Sequence, residues 1–532
     1  MKNRRKKYSF FSLLFDQKFM FILAFVLVFL LEGSIHFFHI IKGSLVELAI
    51  SENGTGFKVE LLKFSGMVLI IPATFYLYSK VFLRISAYSL RNLRLSIFYS
   101  IVKRPFSQYI QHNEGRYINA YTNQISAIET SFFQCVFGFL QIVSTSVLGL
   151  FLIYSIYPPL VIVSIFGIIL AVLLPELLRK VIVKLEKKAI LANEANLSLL
   201  NEFLNGIETI LNFEKEMSFI SRFRQSTKDY NRTRKKWSLA MSGGFHISQL
   251  ILNVYSVASL LIVAKVISNG TLSIGEYIAV LGILFNFTNN LPYTSIYLQQ
   301  FKAARENLNY INETIAYKEQ SLPKDTVNLD TVEEIRFKNI SFSYPESDKL
   351  LLNQFSLLIN GKGIIQIQGE SGKGKSTLVS LLCRYYPVNE GNIYLSDVPI
   401  DKIGNLNELI TIMRQETIFF DGSLAENLSM FSSISDEDLI NSLKNLGLDN
   451  LAKPETLHAP FSNYSGGEAR RLMVLRALLR KSEIIILDEP LANLDPESIQ
   501  CLEKYLLGKN DCFILLITHQ DLSIPTKQTV RI

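Results

Sequence analysis

Six apolar stretches, each long enough to cross a bilayer, fill the first three hundred residues, at about 17 to 41, 61 to 85, 132 to 156, 158 to 179, 243 to 267 and 274 to 297. Backbone inside hydrocarbon must satisfy its own N–H and C=O groups, so apolar runs of this length are expected to be helices. From about Glu333 onward the pattern changes to that of an ordinary mixed α/β domain. At 49% hydrophobic and 19% charged over 532 residues, the chain is too apolar for a two-domain soluble enzyme, and the excess lies in one half. The expected organisation is an all-α membrane domain of six transmembrane helices over 1–316, a polar linker with Pro323 over 317–332, and an α/β domain over 333–532.

Charge sets the expected orientation. The third and fourth spans are joined by a short turn at Pro158 and Pro159, whereas the segments at about 86 to 131 and 180 to 241 are long, helix-rich and basic. Arg91, Arg94, Lys103 and Arg104 mark the first, and Lys184, Lys187, Lys188, Arg234, Lys235 and Lys236 the second. By the positive-inside rule both face the cytoplasm, with both termini and the soluble half. The N-terminus carries five basic residues in its first seven, followed by an amphipathic run. A cleaved signal peptide is the competing reading; the length of the apolar segment and the lack of a small-residue cleavage site favour an interfacial helix on the inner leaflet. Membrane-facing segments then account for the net charge of +7, and no nucleic-acid partner is needed. Cys135, Cys383, Cys501 and Cys512 are scattered without metal-site spacing and fit a reducing cytosol.

In the soluble half, Gly369, Glu370, Ser371, Gly372, Lys373, Gly374, Lys375, Ser376 and Thr377 match the phosphate-binding G-x-x-x-x-G-K-[ST] loop. The apolar GIIQIQ before it and TLVSLLC after it supply the strand and helix that such a loop joins. Glycines let successive N–H groups wrap phosphate oxygens, and the helix adds its positive end. Lys375 would reach the β- and γ-phosphates of ATP, and Ser376 would hold Mg²⁺. The apolar run Ile484 to Leu487 reads as a buried strand ending in Asp488 and Glu489, at the edge where open α/β sheets place ligands. Asp488 would orient Mg²⁺ and Glu489 would polarise the attacking water. His519 ends another apolar strand and is placed to contact the γ-phosphate; the plainer reading of such a histidine is structural.

Other motifs follow in fixed order: Tyr344 in ISFSYPES, Gln415 in TIMRQETIFF, Ser465, Gly466 and Gly467 in NYSGGEARR, and Asp495 at the end of LANLD. With the phosphate loop, IIILDEP and ITHQ, this series resembles an ABC transporter of the exporter type, one six-span membrane domain fused to one ATPase domain. The resemblance covers nearly the whole chain. It implies a half-transporter that pairs with a second one, Tyr344 stacking on adenine, Gln415 linking Mg²⁺ and water to the membrane interface, and Ser465, Gly466, Gly467 and Asp495 completing ATP sites across the dimer. It also implies two cytoplasmic coupling helices, near Tyr117 to Ile125 and Gly206 to Asn212. Tyr464 and Glu468 stand where the family has leucine and glutamine, the charged stretch before Ser465 is replaced by HAPFSN, and only thirteen residues follow His519. No phosphate, metal or water ligand is lost, and a homodimer with two equivalent sites is expected.

The expected activity is ATP hydrolysis driving export across the cytoplasmic membrane by alternating access. A small peptide or other natural product is the first choice of cargo. Lipid or glycolipid flipping, multidrug efflux, and an ATP-gated sensory or channel-like protein without transport stay open. The chain begins at its membrane-surface helix, so a leader-cleaving peptidase domain is not expected, and the Lys-, Asn- and Ile-rich composition suggests a low-GC bacterium. Within the first span Glu32, His36 and His39 recur at intervals of four and three and share one helix face. That face is expected either to line a translocation cavity with Asn286 and Asn290 of the sixth span or to lie hydrated near the outer interface.

Overall fold

The computed structural model describes residues 7–110, 114–317, 325–344, 347, 349–370, 373–460, 464–519 and 522–532. They form two compact units: residues 7–103 with 114–317, and residues 104–110 with 325–532.

The first unit is helical. Helix α1 (Phe10–Phe15) is followed by α2 (Lys18–Ile50) and α3 (Gly54–Lys103). After α4 (Phe106–Tyr109), which groups with the second unit, come α5 (Glu114–Ile156), α6 (Pro159–Asn205), α7 (Ile207–Asn212), α8 (Glu216–Ser268), α9 (Ile274–Asn290) and α10 (Tyr293–Ile315). All six apolar stretches are helical; among the described residues α2, α3, α5 and α8 are each long and apolar enough to span a bilayer. The sixth breaks at Leu291 and Pro292, since proline has no N–H to continue the ladder. Helix α1 begins on a reciprocal cap between Ser9 and Ser12 and buries Leu13 and Leu14, while Phe11 stays 75% exposed. Asn312 fastens the segment before it by accepting from the Tyr8 N–H and donating to the Tyr8 carbonyl, both at 2.8 Å.

Of the two expected coupling helices, the second forms as α7. The first does not: residues 117 to 125 are part of α5, with Tyr117 and Ile125 buried, and α5 widens to π-helical pitch at Ala120–Gln124 and Glu129–Phe133. The separate short helix there is α4, whose Phe106 ring lies 4.4 Å from that of Tyr385 in the second unit.

Hydrophobic burial cannot hold helices together in lipid, so close approach of small residues takes its place. Gly43 of α2 and Gly275 of α9 meet backbone to backbone: a Cβ on Gly43 would lie 2.1 Å from the Gly275 carbonyl oxygen. Glycine also makes notches for rings, Gly138 for Tyr297, Gly149 for Phe287 and Gly167 for Tyr255.

The second unit is built on a parallel sheet. The strands are β1 (Glu334–Phe342), β2 (Leu352–Asn360), β3 (Gly363–Gln368), β4 (Glu390–Leu395), β5 (Val398–Pro399), β6 (Ile410–Met413), β7 (Ile484–Asp488), β8 (Phe513–Ile517) and β9 (Gln528–Arg531). An antiparallel sheet runs β2-β1-β4-β5 and a parallel one β6-β7-β8-β3-β9. Because both faces of the parallel sheet are covered, its central strands β7 and β8 read as unbroken apolar runs. Alternate residues serve opposite layers. Ile365, Ile367, Ile484, Ile486, Phe513, Leu515 and Ile517 pack toward the antiparallel sheet and α11 (Lys375–Leu382). Ile364, Ile485, Leu487, Ile514 and Leu516 pack toward a helical layer of α12 (Leu424–Ser429), α13 (Asp436–Asn445), α14 (Pro454–His458), α15 (Gly466–Leu479) and α16 (Pro496–Leu507). The residues after His519 supply one more parallel strand, β9, beside β3.

Gly43→Ala is expected to force α2 away from α9 and to cost about 1–3 kcal/mol, the usual penalty of overpacking. The check is thermal unfolding of the detergent-solubilised protein; an unchanged melting temperature would show that this contact does not hold the helices.

Candidate functional site

The parallel register decides what meets at the sheet edge. Ile367 of β3 pairs with Ile517 of β8, and Ile517 pairs with Asp488 of β7. The loop after β3, His519 after β8 and Glu489 after β7 therefore leave the sheet side by side. The His519 Nε2 lies 3.5 Å from the Lys375 Nζ and 3.5 Å from the Glu489 Oε1. Glu489 adopts a left-handed φ of 52°, held by its N–H donating to the Ile517 carbonyl at 2.8 Å. For a residue with a Cβ that is an unfavourable conformation, maintained by the strand beneath it.

Lys375 begins α11 at the Gly374 N-cap, whose φ of 109° suits glycine. Its ammonium is buried and donates to the Gly369 and Glu370 carbonyls at 2.5 and 3.0 Å. Among the described residues no carboxylate lies within ion-pair distance of it. A buried cation whose neighbours are carbonyls and one imidazole lacks an anion, and a phosphate oxygen is the anion that this loop geometry accepts. Thr377 is buried with its hydroxyl 2.9 Å from the Tyr344 hydroxyl, and Ser376 is exposed one residue away. Lys373 pairs with Glu370 at 3.5 Å, at the rim of the loop. Ser371 and Gly372 lie outside the described residues.

Asp488 and Glu489 are both shifted toward protonation, chiefly by burial. Positive neighbours oppose this: Arg414, Lys375 and Arg470 around Asp488, and His519, Lys375 and Arg470 around Glu489. A carboxylate raised in this way is a better base than a solvated one. Asp488 and Glu489 offer oxygen donors of the kind that a hard divalent cation takes together with substrate phosphates.

Gln415 lies two residues past the end of β6, next to β7 in the sheet, and its side chain is exposed. The Arg470 guanidinium holds it from the backbone side, donating to the Gln415 carbonyl at 2.5 Å. Six residues further along α15, Arg476 donates to the Ile418 carbonyl at 2.7 Å and lies over the Phe419 ring at 5.0 Å. Neither arginine is marked in the sequence, because a guanidinium that grips a carbonyl distant along the chain leaves no local pattern. Tyr344 packs edge-on against Tyr386 at 5.2 Å, beside a cavity of about 410 Å³ that Phe342, Pro387 and Asn389 help to line.

Ser465, Gly466 and Gly467 open α15 but do not join the Lys375 cluster; among the described residues no hydrogen bond or ion pair connects them. Ser465 is the N-cap, and the unusual Glu468 closes a capping box by accepting from the Ser465 N–H at 3.0 Å. Asn450 donates to the same carboxylate at 2.9 Å. That bond first, and the Ser465 N–H next, hold Glu468 below its ordinary titration range. Asp495 caps α16, accepting from the Ser498 N–H at 2.9 Å. Tyr464 packs against Phe419 at 5.9 Å.

In the membrane unit, Glu32 and His36 are 1% and 0% exposed, wedged between helices. Packing against α5 thus takes Glu32 and His36 away from both an open cavity and water, whereas His39, on the same face, is half-buried. The side-chain amide of Asn290 donates to the Asn286 carbonyl within α9.

Comparison with known proteins agrees with this geometry. The profile of the family described as ABC transporter matches residues 352–492, and that of the ABC transporter transmembrane region matches residues 21–291. A multidrug resistance-like ATP-binding protein, MdlB, of Buchnera aphidicola is 26% identical over 81% of this chain and 76% of its own length. An ATP-dependent lipid A-core flippase of Haemophilus influenzae is 26% identical over 86% of this chain and 80% of its own. The structure of a bacterial Atm1-family ABC exporter with ATP bound superposes with a TM-score of 0.80 at 18% identity, over 94% of this chain and 90% of that one.

Ser465→Ala is expected to cost about 1 kcal/mol through loss of the cap. The lowered Glu468 contributes stability that is present above its unfolded value and lost as pH falls through the folded one, so Glu468→Gln should flatten the acid limb of the melting temperature. Unfolding followed across acidic pH decides both; an unaltered acid limb would assign no stabilising role to the Glu468 carboxylate.

Proposed function

This chain belongs to the ABC transporter family, and we propose that it is a half-transporter that exports a small peptide or other natural product from the cytoplasm, working as a homodimer. The observation that carries this reading is the convergence of Lys375, Glu489 and His519 at one sheet edge, in a chain that also contains its own membrane unit. Lys375 and the N–H groups of the Gly369–Thr377 loop would hold the phosphates of ATP, and Tyr344 would lie against the adenine. Ser376, Asp488 and Gln415 are the residues that would hold Mg²⁺, which when bound neutralises charge developing on the phosphates. Glu489 would take up a proton from the attacking water. His519, within reach of both Lys375 and Glu489, would keep that carboxylate aligned and register the departure of the γ-phosphate.

The cap at Ser465 supports pairing. A helix N-terminus beginning Ser-Gly-Gly is built to receive an anion, yet this one is not joined to its own phosphate loop. We infer that it serves the ATP of a second copy, with Asp495 at the shared boundary, so that binding closes two ATPase domains and hydrolysis reopens them. Helix α7 and its flanks present Ile207, Leu211, Phe213 and Met217, all more than half exposed, as the surface that would transmit this movement. Basic segments beside the membrane helices support a cytoplasmic ATPase domain. For the cargo, support comes from a relative named as a lactococcin-G-processing and transport ATP-binding protein of Lactococcus lactis, 30% identical over 61% of this chain and 48% of its own length.

Glu489→Gln is expected to retain ATP binding while turnover falls by about 10²–10⁴-fold, the range for removal of a general base. Lys375→Ala should weaken nucleotide binding itself. Nucleotide affinity and phosphate release, measured with ATP-dependent peptide uptake into inverted vesicles, test the reading. Near-wild-type turnover by Glu489→Gln would move the base elsewhere, and ATPase activity without uptake of any cargo would favour gating over export.

A further inference from the structure

Glu32 lies about 21 Å along α2 at 1.5 Å per residue, well inside a hydrocarbon layer roughly 30 Å thick. One of its oxygens, Oε2, accepts from the Thr145 hydroxyl of α5. The other, Oε1, is buried without a hydrogen-bond partner, and among the described residues no cation pairs with the carboxyl. One turn further on, the His36 Nε2 donates to the Thr145 carbonyl at 3.1 Å, leaving the buried Nδ1 lone pair also without a partner. Thr145 thus serves both side chains, and each keeps one orphaned polar atom on the same helix face.

The surroundings supply no compensating charge close by. Helix α5 contributes Thr145 and Gln141, whose side-chain amide also lies within hydrogen-bonding reach of the carboxyl; both are uncharged. From other helices Tyr78 of α3 feels the Glu32 carboxyl and Tyr297 of α10, and the Tyr78 hydroxyl donates to the Phe137 carbonyl. On α2 itself the next groups are His39, which faces Gly282 of α9, and Lys42, near His39. An ionised carboxylate held there by neutral donors alone would cost several kcal/mol. A carboxylic acid does not carry that cost. Its O–H on Oε1 and the His36 Nδ1 lone pair are complementary, and a single water between them would satisfy both.

We propose that Glu32, His36 and Thr145 form a proton-binding site between α2 and α5, loaded while the helices are packed and emptied when they part. This rests on the alternating-access reading above. Parting removes the Thr145 hydroxyl and carbonyl and admits water. The Glu32 O–H bond then breaks, its electron pair stays on Oε1, and the proton passes to water. Repacking takes a proton back, so each protomer exchanges a single proton per transport cycle.

The test uses the full chain in lipid nanodiscs and infrared difference spectroscopy. Without nucleotide, a carbonyl-stretch band of a protonated carboxylic acid is expected, lost in Glu32→Gln and shifted in Thr145→Val. The second variant keeps the backbone carbonyl for His36 and identifies the band should Glu32→Gln fail to fold. Trapping with Mg-ATP in the Glu489→Gln background, or with vanadate in the otherwise unaltered chain, should abolish the band and release protons to an indicator dye in weak buffer. Absence of the band would mean that Glu32 is ionised, and persistence through trapping would make it a static structural acid; either overturns the proposal. Retained nucleotide is scored separately. If neither trap retains it, the alternating-access reading fails and the proton site falls with it.

Discussion

The pairing of Asp488 with Ile517, and of Ile517 with Ile367, is the constraint on which the candidate site depends. Three strands in parallel register end at one level, so the loops leaving them are brought together without any loop having to search. A slip of one residue would reverse which side chains face each layer, sending Ile486 and Leu515 to the helical side and Leu487 and Leu516 to the other. Dense apolar packing on both faces therefore fixes the register, and the register fixes the meeting of Lys375, Glu489 and His519. The left-handed Glu489 backbone shows the same dependence, since its N–H is tied to the neighbouring strand.

Much of this edge is legible in the sequence itself. The phosphate loop has a local signature because its chemistry is local: glycines, a lysine and a hydroxyl within nine residues, between a strand and a helix. Asp488 and His519 could be placed because each ends an apolar run, which is how a doubly covered parallel strand reads. Arg470 and Arg476 could not be placed, because an arginine that grips a carbonyl some fifty residues away leaves no periodic mark. Nor could the capping role of Glu468, since a resemblance notes only that a glutamine is missing and not what the carboxylate does instead.

The membrane unit was legible to a coarser degree. Hydropathy locates apolar helices but not their rotation, and rotation decided the fate of Glu32 and His36. Spacing put them on one face; only packing showed that the face meets Thr145 rather than water. The short helix expected near Tyr117 is absent for a related reason. Tyr117, Ala120 and Ile125 are buried and carry α5 on through a widened turn, while Phe106–Tyr109, with no buried residue, makes the separate helix instead.

The glycine notches carry a mechanical consequence. A ring seated in a notch at Gly138, Gly149 or Gly167 fits at one height along the helix and clashes a residue above or below it, where a Cβ projects. Such contacts act as detents. The helices they join cannot creep past one another under a small force; they hold position until the load suffices to unseat a ring, then jump to another seat. A bundle indexed in this way turns a continuous push into discrete settings.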